Sequence, residues 1–168
     1  MPNKDSATKV VDIIRDSGGR LVGRTRLQKI AYLLEVAGCG NGFQFSYHYY
    51  GPYSEQVADA AIQAQTQGLL QEEEKHTTWG TTYSVYKTNV ENVQVDTARC
   101  RLIKVANQAD AVDLELAATA AYLANQGSQD AWISTANLKP DKAKKHLDSA
   151  KKLYKALHRL SGCLPDIK

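Results

Sequence analysis

Few side chains in this sequence have the types and spacing that catalysis or metal binding requires. The candidates are three cysteines and four histidines: Cys39, Cys100, Cys163, His48, His76, His146 and His158. The cysteines form no Cys-x-x-Cys pair, and the histidines show no spacing typical of metal ligands. A glycine-rich stretch at 38–42 follows a predicted helix and precedes a predicted strand, which is the wrong order for a phosphate-binding loop. We therefore predict a non-enzymatic protein without a catalytic, metal or cofactor site.

The densest aromatic group consists of four of the nine tyrosines, which lie within seven residues: Tyr47, Tyr49, Tyr50 and Tyr53. Such a group could stack on the bases of a single-stranded nucleic acid. It could instead belong to a strand that packs on a neighbouring helix. We favour packing for Tyr47 and Tyr49, and we expect Tyr50, Tyr53 and His48 to be exposed and accessible to a partner.

Composition places the chain among globular proteins. Its 168 residues are 43% hydrophobic and 23% charged, which argues against disorder, collagen and coiled-coil rods. No apolar run approaches the length of about 20 residues that spans a membrane, and no apolar secretory signal follows Met1. An odd number of widely separated cysteines suits a reducing compartment. We expect a cytoplasmic protein that contacts no membrane.

The net charge of +3 conceals a strong segregation of charge along the chain. Residues 1–30 carry seven basic and three acidic side chains, and residues 139–168 carry nine basic and three acidic ones. Residues 40–98 carry two basic and seven acidic side chains. Such separation marks either a partner surface or solvated helix faces.

Hydrophobic periodicity predicts two helices in the first forty residues. Ser6 is expected to cap the first helix, which ends at Ser17-Gly18-Gly19. Thr25 and Gln28 match a capping box at the start of the second helix, in which each side chain bonds to the backbone of the other. The second helix then buries one apolar stripe, formed by Leu27, Ile30, Ala31 and Leu34.

The rest of the chain predicts a mainly α (α+β) protein that is about 60% helical by pattern count, with one small antiparallel sheet. Alternating residues predict a strand over 43–50, which Gly51-Pro52 breaks, and Ser54 is expected to cap a third helix that runs to about Gly68. A β-hairpin is expected to follow, with its turn near Trp79-Gly80. Four more helices are predicted near 96–108, 112–126, 129–138 and 140–161.

This order of elements suggests a winged-helix-like region over 1–92 and a helical region over 93–168 that packs against it as one compact domain. A winged helix raises DNA binding as a hypothesis. Its reading helix, Ser54–Gly68, contains Glu55 and Asp59 but no lysine or arginine, and three glutamates follow at 72–74. Carboxylates repel phosphates, so nucleic acid is disfavoured at this helix. Basic residues lie elsewhere, at Arg20, Arg24, Arg26, Lys29, Lys144, Lys145, Lys151, Lys152 and Lys155.

Two motifs resemble the Panacea-domain family, whose members are SocA-like antitoxins, or a closely related bacterial or phage-associated branch. They are Leu27-Gln28-Lys29-Ile30 and Tyr50-Gly51-Pro52, at the family's spacing, although this chain has Tyr53 where the family usually has valine. The resemblance covers residues 6–88. It implies a non-enzymatic protein that neutralises a toxin, encoded by a neighbouring gene, by direct binding, or that acts as an adaptor to a protease.

The predicted partner surface comprises Arg24, Arg26, Lys29, Tyr50 and Tyr53. The two tyrosines flank the Gly51-Pro52 turn, and Lys29 lies off the buried stripe, so it is expected to face solvent beside Arg26. Exposed tyrosine beside arginine is typical of interface hot spots. The alternatives are that Tyr53 only staples the third helix and that the basic residues are merely solvated. The alternative function is that of a winged-helix DNA-binding transcriptional regulator, and a nuclease or nucleotide-binding enzyme is kept as a third possibility.

Overall fold

The computed structural model describes residues 5–91 and 96–167, so the predicted boundary between 92 and 93 lies outside the described residues. The protein is mainly helical, with 57% of residues in helices. The elements in chain order are α1 (Ser6–Asp16), β1 (Arg20–Val22), α2 (Arg24–Val36), β2 (Ser46–His48), β3 (Gly51–Tyr53), α3 (Glu55–Thr66), β4 (Gln71–His76), β5 (Thr82–Lys87), α4 (Ala98–Gln108), α5 (Ala111–Asn125), α6 (Ala131–Leu138) and α7 (Pro140–Leu160).

The starts of the first two helices differ from the prediction. Asp5, not Ser6, caps α1, because its side chain accepts a hydrogen bond from the backbone N–H of Thr8. The capping box in α2 is also wrong: the helix begins after Gly23, which has a φ of 101° and no side-chain cap. The Gly23 N–H bonds to the Ser84 carbonyl of β5, so α2 begins directly where β1 leaves the sheet. Thr25 is consequently an exposed residue inside the helix.

The predicted hairpin is confirmed as β4 and β5. It belongs to a three-stranded sheet whose third strand was not predicted from the sequence. The short strand β1 pairs antiparallel with β5, which gives the sheet order β1-β5-β4. The predicted cap of α3 is also confirmed, since the Ser54 hydroxyl accepts from the Val57 N–H. Helix α3 therefore leads into β4 of this sheet, and β1 of the same sheet leads into α2.

The predicted strand over 43–50 is wrong in its extent. Only Ser46–His48 form a strand there, and Gly51–Tyr53 pair with it antiparallel as a second strand rather than ending it. The chain reverses at Tyr49 and Tyr50, because Gly51 adopts a φ of 98° that side-chain-bearing residues rarely take. We call β2, β3 and the two tyrosines between them the aromatic hairpin (residues 46–53).

The four later helices lie within two residues of their predicted bounds, and Pro140 occupies the first turn of α7 as expected. Helix α5 is central, since it packs against α2, α6, α7 and β3. Its alanines allow this close packing, and the buried hydrophobic core runs continuously from α1 to the last helix. No helix in the described part of the chain is long and apolar enough to span a membrane.

Candidate partner-binding site

The motif Leu27-Gln28-Lys29-Ile30 is hydrogen-bonded to the backbone at the end of the motif Tyr50-Gly51-Pro52 and just after it. The Gln28 amide makes two hydrogen bonds with the backbone of Ser54: its Nε2 donates to the carbonyl at 2.9 Å, and its Oε1 accepts from the N–H at 2.8 Å. Both residues are buried. Gln28 thus acts like a paired strand residue and fixes the point where the aromatic hairpin ends and α3 begins.

Lys29 makes the hydrogen bond that joins the two motifs, and its predicted exposure is wrong. Its side chain is almost fully buried, with 2% of the residue exposed, and its Nζ donates to the Pro52 carbonyl at 2.8 Å. Helix α2 packs against α4, α5 and β3 at once, so positions beside its apolar stripe are also covered. Lys29 is therefore directed at β3 rather than at solvent.

A single buried carboxylate interacts electrostatically with three lysines beneath the aromatic hairpin. Glu115 of α5 is buried, and its Oε2 lies 2.7 Å from Lys142 Nζ and 3.7 Å from Lys139 Nζ. Burial lowers the pKa of Lys29 to about 8, and Glu115 opposes this shift. Burial likewise lowers the pKa of Lys139. Two buried lysines and the partly exposed Lys142 thus surround one buried carboxylate, and we call this group the lysine cluster (Lys29, Glu115, Lys139 and Lys142).

Two lysines of the cluster donate hydrogen bonds to the backbone of the aromatic hairpin, one within its turn and one just after it. Lys139 Nζ donates to the Tyr49 carbonyl at 3.0 Å, as Lys29 does to that of Pro52. Between these two anchors Gly51 lies directly on α5. A Cβ atom at Gly51 would lie 2.7 Å from the hydroxyl oxygen of Thr119, so the close approach requires glycine.

The hairpin, α2 and α3 enclose a cavity of about 350 Å³, within the size range of ligand pockets. Its lining is mostly apolar, from Leu27, Ala58, Ala61, Ile62 and Tyr86. Four of the five residues predicted for the partner surface also line it: Arg24, Lys29, Tyr50 and Tyr53. The structure therefore brings these four together, although Lys29 contributes from a buried position.

Two tyrosines stand at the mouth of the cavity. Tyr49 is 84% exposed and Tyr50 is 52% exposed, and their rings meet edge to face with centroids 4.9 Å apart. The Lys142 Nζ lies 5.1 Å from the centre of the Tyr50 ring. Exposure of Tyr50 is as predicted, whereas the prediction that Tyr49 packs inside is wrong. Tyr53 is partly buried, and its ring lies 4.7 Å from that of the exposed His48.

Arg24 closes the other end of the cavity through an ion pair. Its Nε lies 2.6 Å from Glu72 Oε1, and the Gln65 amide donates to the second oxygen of Glu72 at 3.0 Å. Burial alone would raise the pKa of Glu72, but hydrogen bonds from Arg24, Ser84 and Gln65 outweigh it and hold the pKa below its ordinary value. The Arg24 side chain itself remains mostly exposed, so it is accessible at the rim.

Arg26 lies outside the cavity. Its Nη1 donates to the carbonyls of Ala106, Asn107 and Ala109, where α4 ends. A cation at the carbonyl end of a helix is favourably placed. Arg26 is therefore bound to the second half of the chain, and the predicted cluster of Arg26 with Arg24 and Lys29 does not form.

A group of three potential metal ligands also forms, which sequence spacing did not indicate because its members are up to 36 positions apart. The ligand atoms of Asp110, Asp113 and His146 lie within 4.8 Å of one another. Asp110 already caps α5, and Asp113 Oδ1 lies 2.8 Å from His146 Nδ1 and accepts from the Ser149 hydroxyl. Hydrogen bonds within the protein account for this arrangement.

No protein-family model matches the chain, and no curated protein matches it. We therefore infer function from the cavity and the charges around it. Tyrosine rings and Ile62 offer apolar contact area there, and the Arg24–Glu72 pair offers charged hydrogen-bonding groups at the rim.

Proposed function

We propose that this chain is a non-enzymatic, protein-binding regulator, and that a segment of its partner occupies the cavity between α2, α3 and the aromatic hairpin. In the form that the Panacea resemblance implies, it is an antitoxin that neutralises a toxin, or an adaptor to a protease. The observation that carries this proposal is the pair of exposed tyrosines, Tyr49 and Tyr50, at the mouth of an apolar cavity.

Tyrosine and arginine are the residue types that most often dominate binding energy at protein interfaces. Here Tyr49, Tyr50 and Ile62 leave large apolar side chains in solvent beside the cavity, and Arg24 stands at its rim. Exposed apolar surface of this kind is characteristic of interaction sites. A partner that covers it gains hydrophobic contact and a charged hydrogen-bonding group together.

The fastening of the hairpin also supports this function. Lys139 bonds to the Tyr49 carbonyl within the turn, and Lys29 bonds to the Pro52 carbonyl just after it, so the backbone that carries the two tyrosines is attached to the rest of the protein. Binding surfaces that are already ordered lose less conformational entropy when a partner binds. The lysine cluster therefore favours affinity although it lies below the contact surface.

The second candidate function is that of a winged-helix DNA-binding regulator. The order α1-β1-α2, then α3-β4-β5, with the sheet order β1-β5-β4, is consistent with a winged-helix-like arrangement in which α3 is the reading helix. The exposed side chains of α3 include Glu55 and Asp59, and β4 adds Glu73 and Glu74. Because this face repels phosphates, a protein partner is favoured over DNA here.

The test is co-purification with the product of the adjacent gene, which is the partner that the resemblance implies. The double variant Tyr49→Ala/Tyr50→Ala is expected to weaken binding at least tenfold, since it removes most of the exposed aromatic area at the cavity. The matched control is Trp79→Ala, which removes an aromatic side chain that is 79% exposed at the tip of the β4–β5 hairpin. It is expected to bind like the wild type.

All variants are first compared by thermal unfolding, so that loss of binding is not loss of fold. Unchanged binding by the folded double variant would contradict the proposed site. Sequence-specific binding of duplex DNA that Gln63→Glu abolishes would favour the second candidate, because Gln63 is an exposed residue of α3.

A further inference from the structure

The outward face of α7 carries an excess of positive charge. The helix runs for 21 residues and buries Ala143, Ala150, Tyr154 and Leu157 against the core. Its outward side carries two acidic residues, Asp141 and Asp148. It also carries six basic residues that are exposed or half-exposed: Lys144, Lys145, Lys151, Lys152, Lys155 and Arg159.

These six side chains outnumber the two acidic residues of the same face, although Asp148 lies four positions from both Lys144 and Lys152. None of them forms an ion pair with another described residue, Asp141 and Asp148 included. By contrast, Lys142, on the other side of α7, is paired with Glu115. Pairs of like charge four residues apart, such as Lys151–Lys155 and Lys155–Arg159, each destabilise a helix slightly. An external anion would relieve this repulsion.

The spacing on the helix fits a polyanion rather than a single anion. Lys145, Lys152 and Arg159 follow one another at seven-residue intervals, so they share a face and lie about 10 Å apart along the axis. Together they cover about 21 Å. Duplex DNA carries one negative charge for roughly every 1.7 Å of its axis, so a straight row of this length meets several phosphates at once.

The opposite charges lie on other elements. The segment from 40 to 98 carries seven acidic side chains, and those exposed on α3 and β4 include Glu55, Asp59, Glu73 and Glu74. Its two basic residues, Lys75 and Lys87, both pair with Glu73. A polyanion is thus attracted to α7 and repelled from the α3–β4 side.

From these observations we infer that the outward face of α7 binds the phosphate backbone of nucleic acid without reading its sequence. This activity is separate from the partner-binding cavity, and the two surfaces involve different elements. The protein would thereby hold a partner protein next to nucleic acid.

The test is fluorescence anisotropy of a labelled 20-base-pair duplex of mixed sequence, measured from 50 to 250 mM KCl. Contact with about four phosphates gives a plot of log K against log [KCl] with a slope of about −4. The triple variant Lys145→Glu/Lys152→Glu/Lys155→Glu is expected to lose at least tenfold in affinity and to flatten this slope. A second duplex of unrelated sequence is expected to bind with the same affinity.

The matched control changes the net charge equally at basic residues outside α7 that form no ion pair among the described residues, with Lys9→Glu/Arg20→Glu/Lys104→Glu. Its affinity for the duplex is expected to lie within threefold of the wild-type value. An equal loss of affinity in both triple variants would show that only the overall charge matters, and it would overturn the proposal. Absence of binding at 50 mM KCl would overturn it too. So would tighter binding to polyglutamate or to vesicles of anionic lipid than to the duplex, since α7 would then serve an acidic protein or a membrane. The folded Tyr49→Ala/Tyr50→Ala variant keeps nucleic-acid binding, which distinguishes this result from the outcome for the cavity.

Discussion

Replacing Lys29 by methionine tests whether this amino group is buried as a cation beneath the aromatic hairpin. Burial lowers the pKa of Lys29 from its ordinary 10.5 to about 8 in the folded protein. Between these values the unfolded chain binds a proton that the folded chain lacks. Stability rises with pH wherever the unfolded state binds more protons, so this residue makes the wild type more stable as the pH increases from about 8 towards 10.5.

The size of this effect follows from the two pKa values. Their difference corresponds to about 3 kcal/mol of unfolding free energy, of which about 2 kcal/mol falls between pH 7.5 and 9.5. Tyrosines act in the opposite direction only at higher pH. Burial raises the pKa of Tyr86 to about 12, so its contribution is lost above about pH 10, where the unfolded tyrosine ionises.

The assay is urea-induced unfolding at pH 7.5, 8.5 and 9.5 of the wild type, Lys29→Met and the exposed-site control Lys104→Met. The difference in unfolding free energy between wild type and Lys29→Met is expected to shift by about 2 kcal/mol in favour of the wild type across this range. The control is expected to run parallel to the wild type. Burial lowers the pKa of Lys139 as well, and this lysine is present in all three proteins. Parallel profiles for all three, or a shift of the opposite sign, would refute the burial of a charged Lys29.

Two further predictions concern caps and close approach, and both are measured by urea unfolding at pH 7.5. Ser54→Ala removes the cap of α3 and is expected to lower the free energy of unfolding by about 1 kcal/mol. Thr25→Ala is expected to change it by less than about 0.5 kcal/mol, because Thr25 is exposed and caps no helix. An equal loss in both variants would contradict the assignment of the two helix caps. Gly51→Ala combines a φ of 98° with a contact of 2.7 Å to Thr119 and is expected to cost more than about 2 kcal/mol. Gly68→Ala shares the positive φ but meets open space, so a loss as large as that of Gly51→Ala would disprove the role of the close approach.

Sequence patterns predicted the elements that are encoded by neighbouring residues, over a stretch long enough to show a period or by a turn or cap residue. The later helices and the β4–β5 hairpin follow from periodicity and turn residues, and the Ser54 cap follows from residue type. The three-residue strand β1 carries no such signal, since its pairing with β5 depends on residues more than sixty positions away. The alternation of aromatic and polar residues over 43–50 predicted that Tyr49 faces inward. The chain turns at Tyr49 and Tyr50, so the two-residue period of the strand does not extend to Tyr49.

The capping box shows how one pattern can serve a different purpose. The letters of Thr25 and Gln28 match the box, yet the Gln28 amide is used by Ser54, 26 residues further on. In the same way, the apolar stripe predicted the main buried face of α2 but not the packing of α5 and β3 over its remaining side, where Lys29 lies. No local sequence signal places Lys29 there, because its partner, the Pro52 carbonyl, is 23 positions away.

The lysine cluster has a consequence for any attempt to divide this chain in two. Lys29 lies in the first half of the chain, whereas Glu115, Lys139 and Lys142 lie in the second. A fragment that ends near residue 91 would keep a buried cation and lose the carboxylate that compensates it, and the hairpin would lose one of its two anchors. Separated fragments would therefore lack compensating charges as well as parts of the shared hydrophobic core.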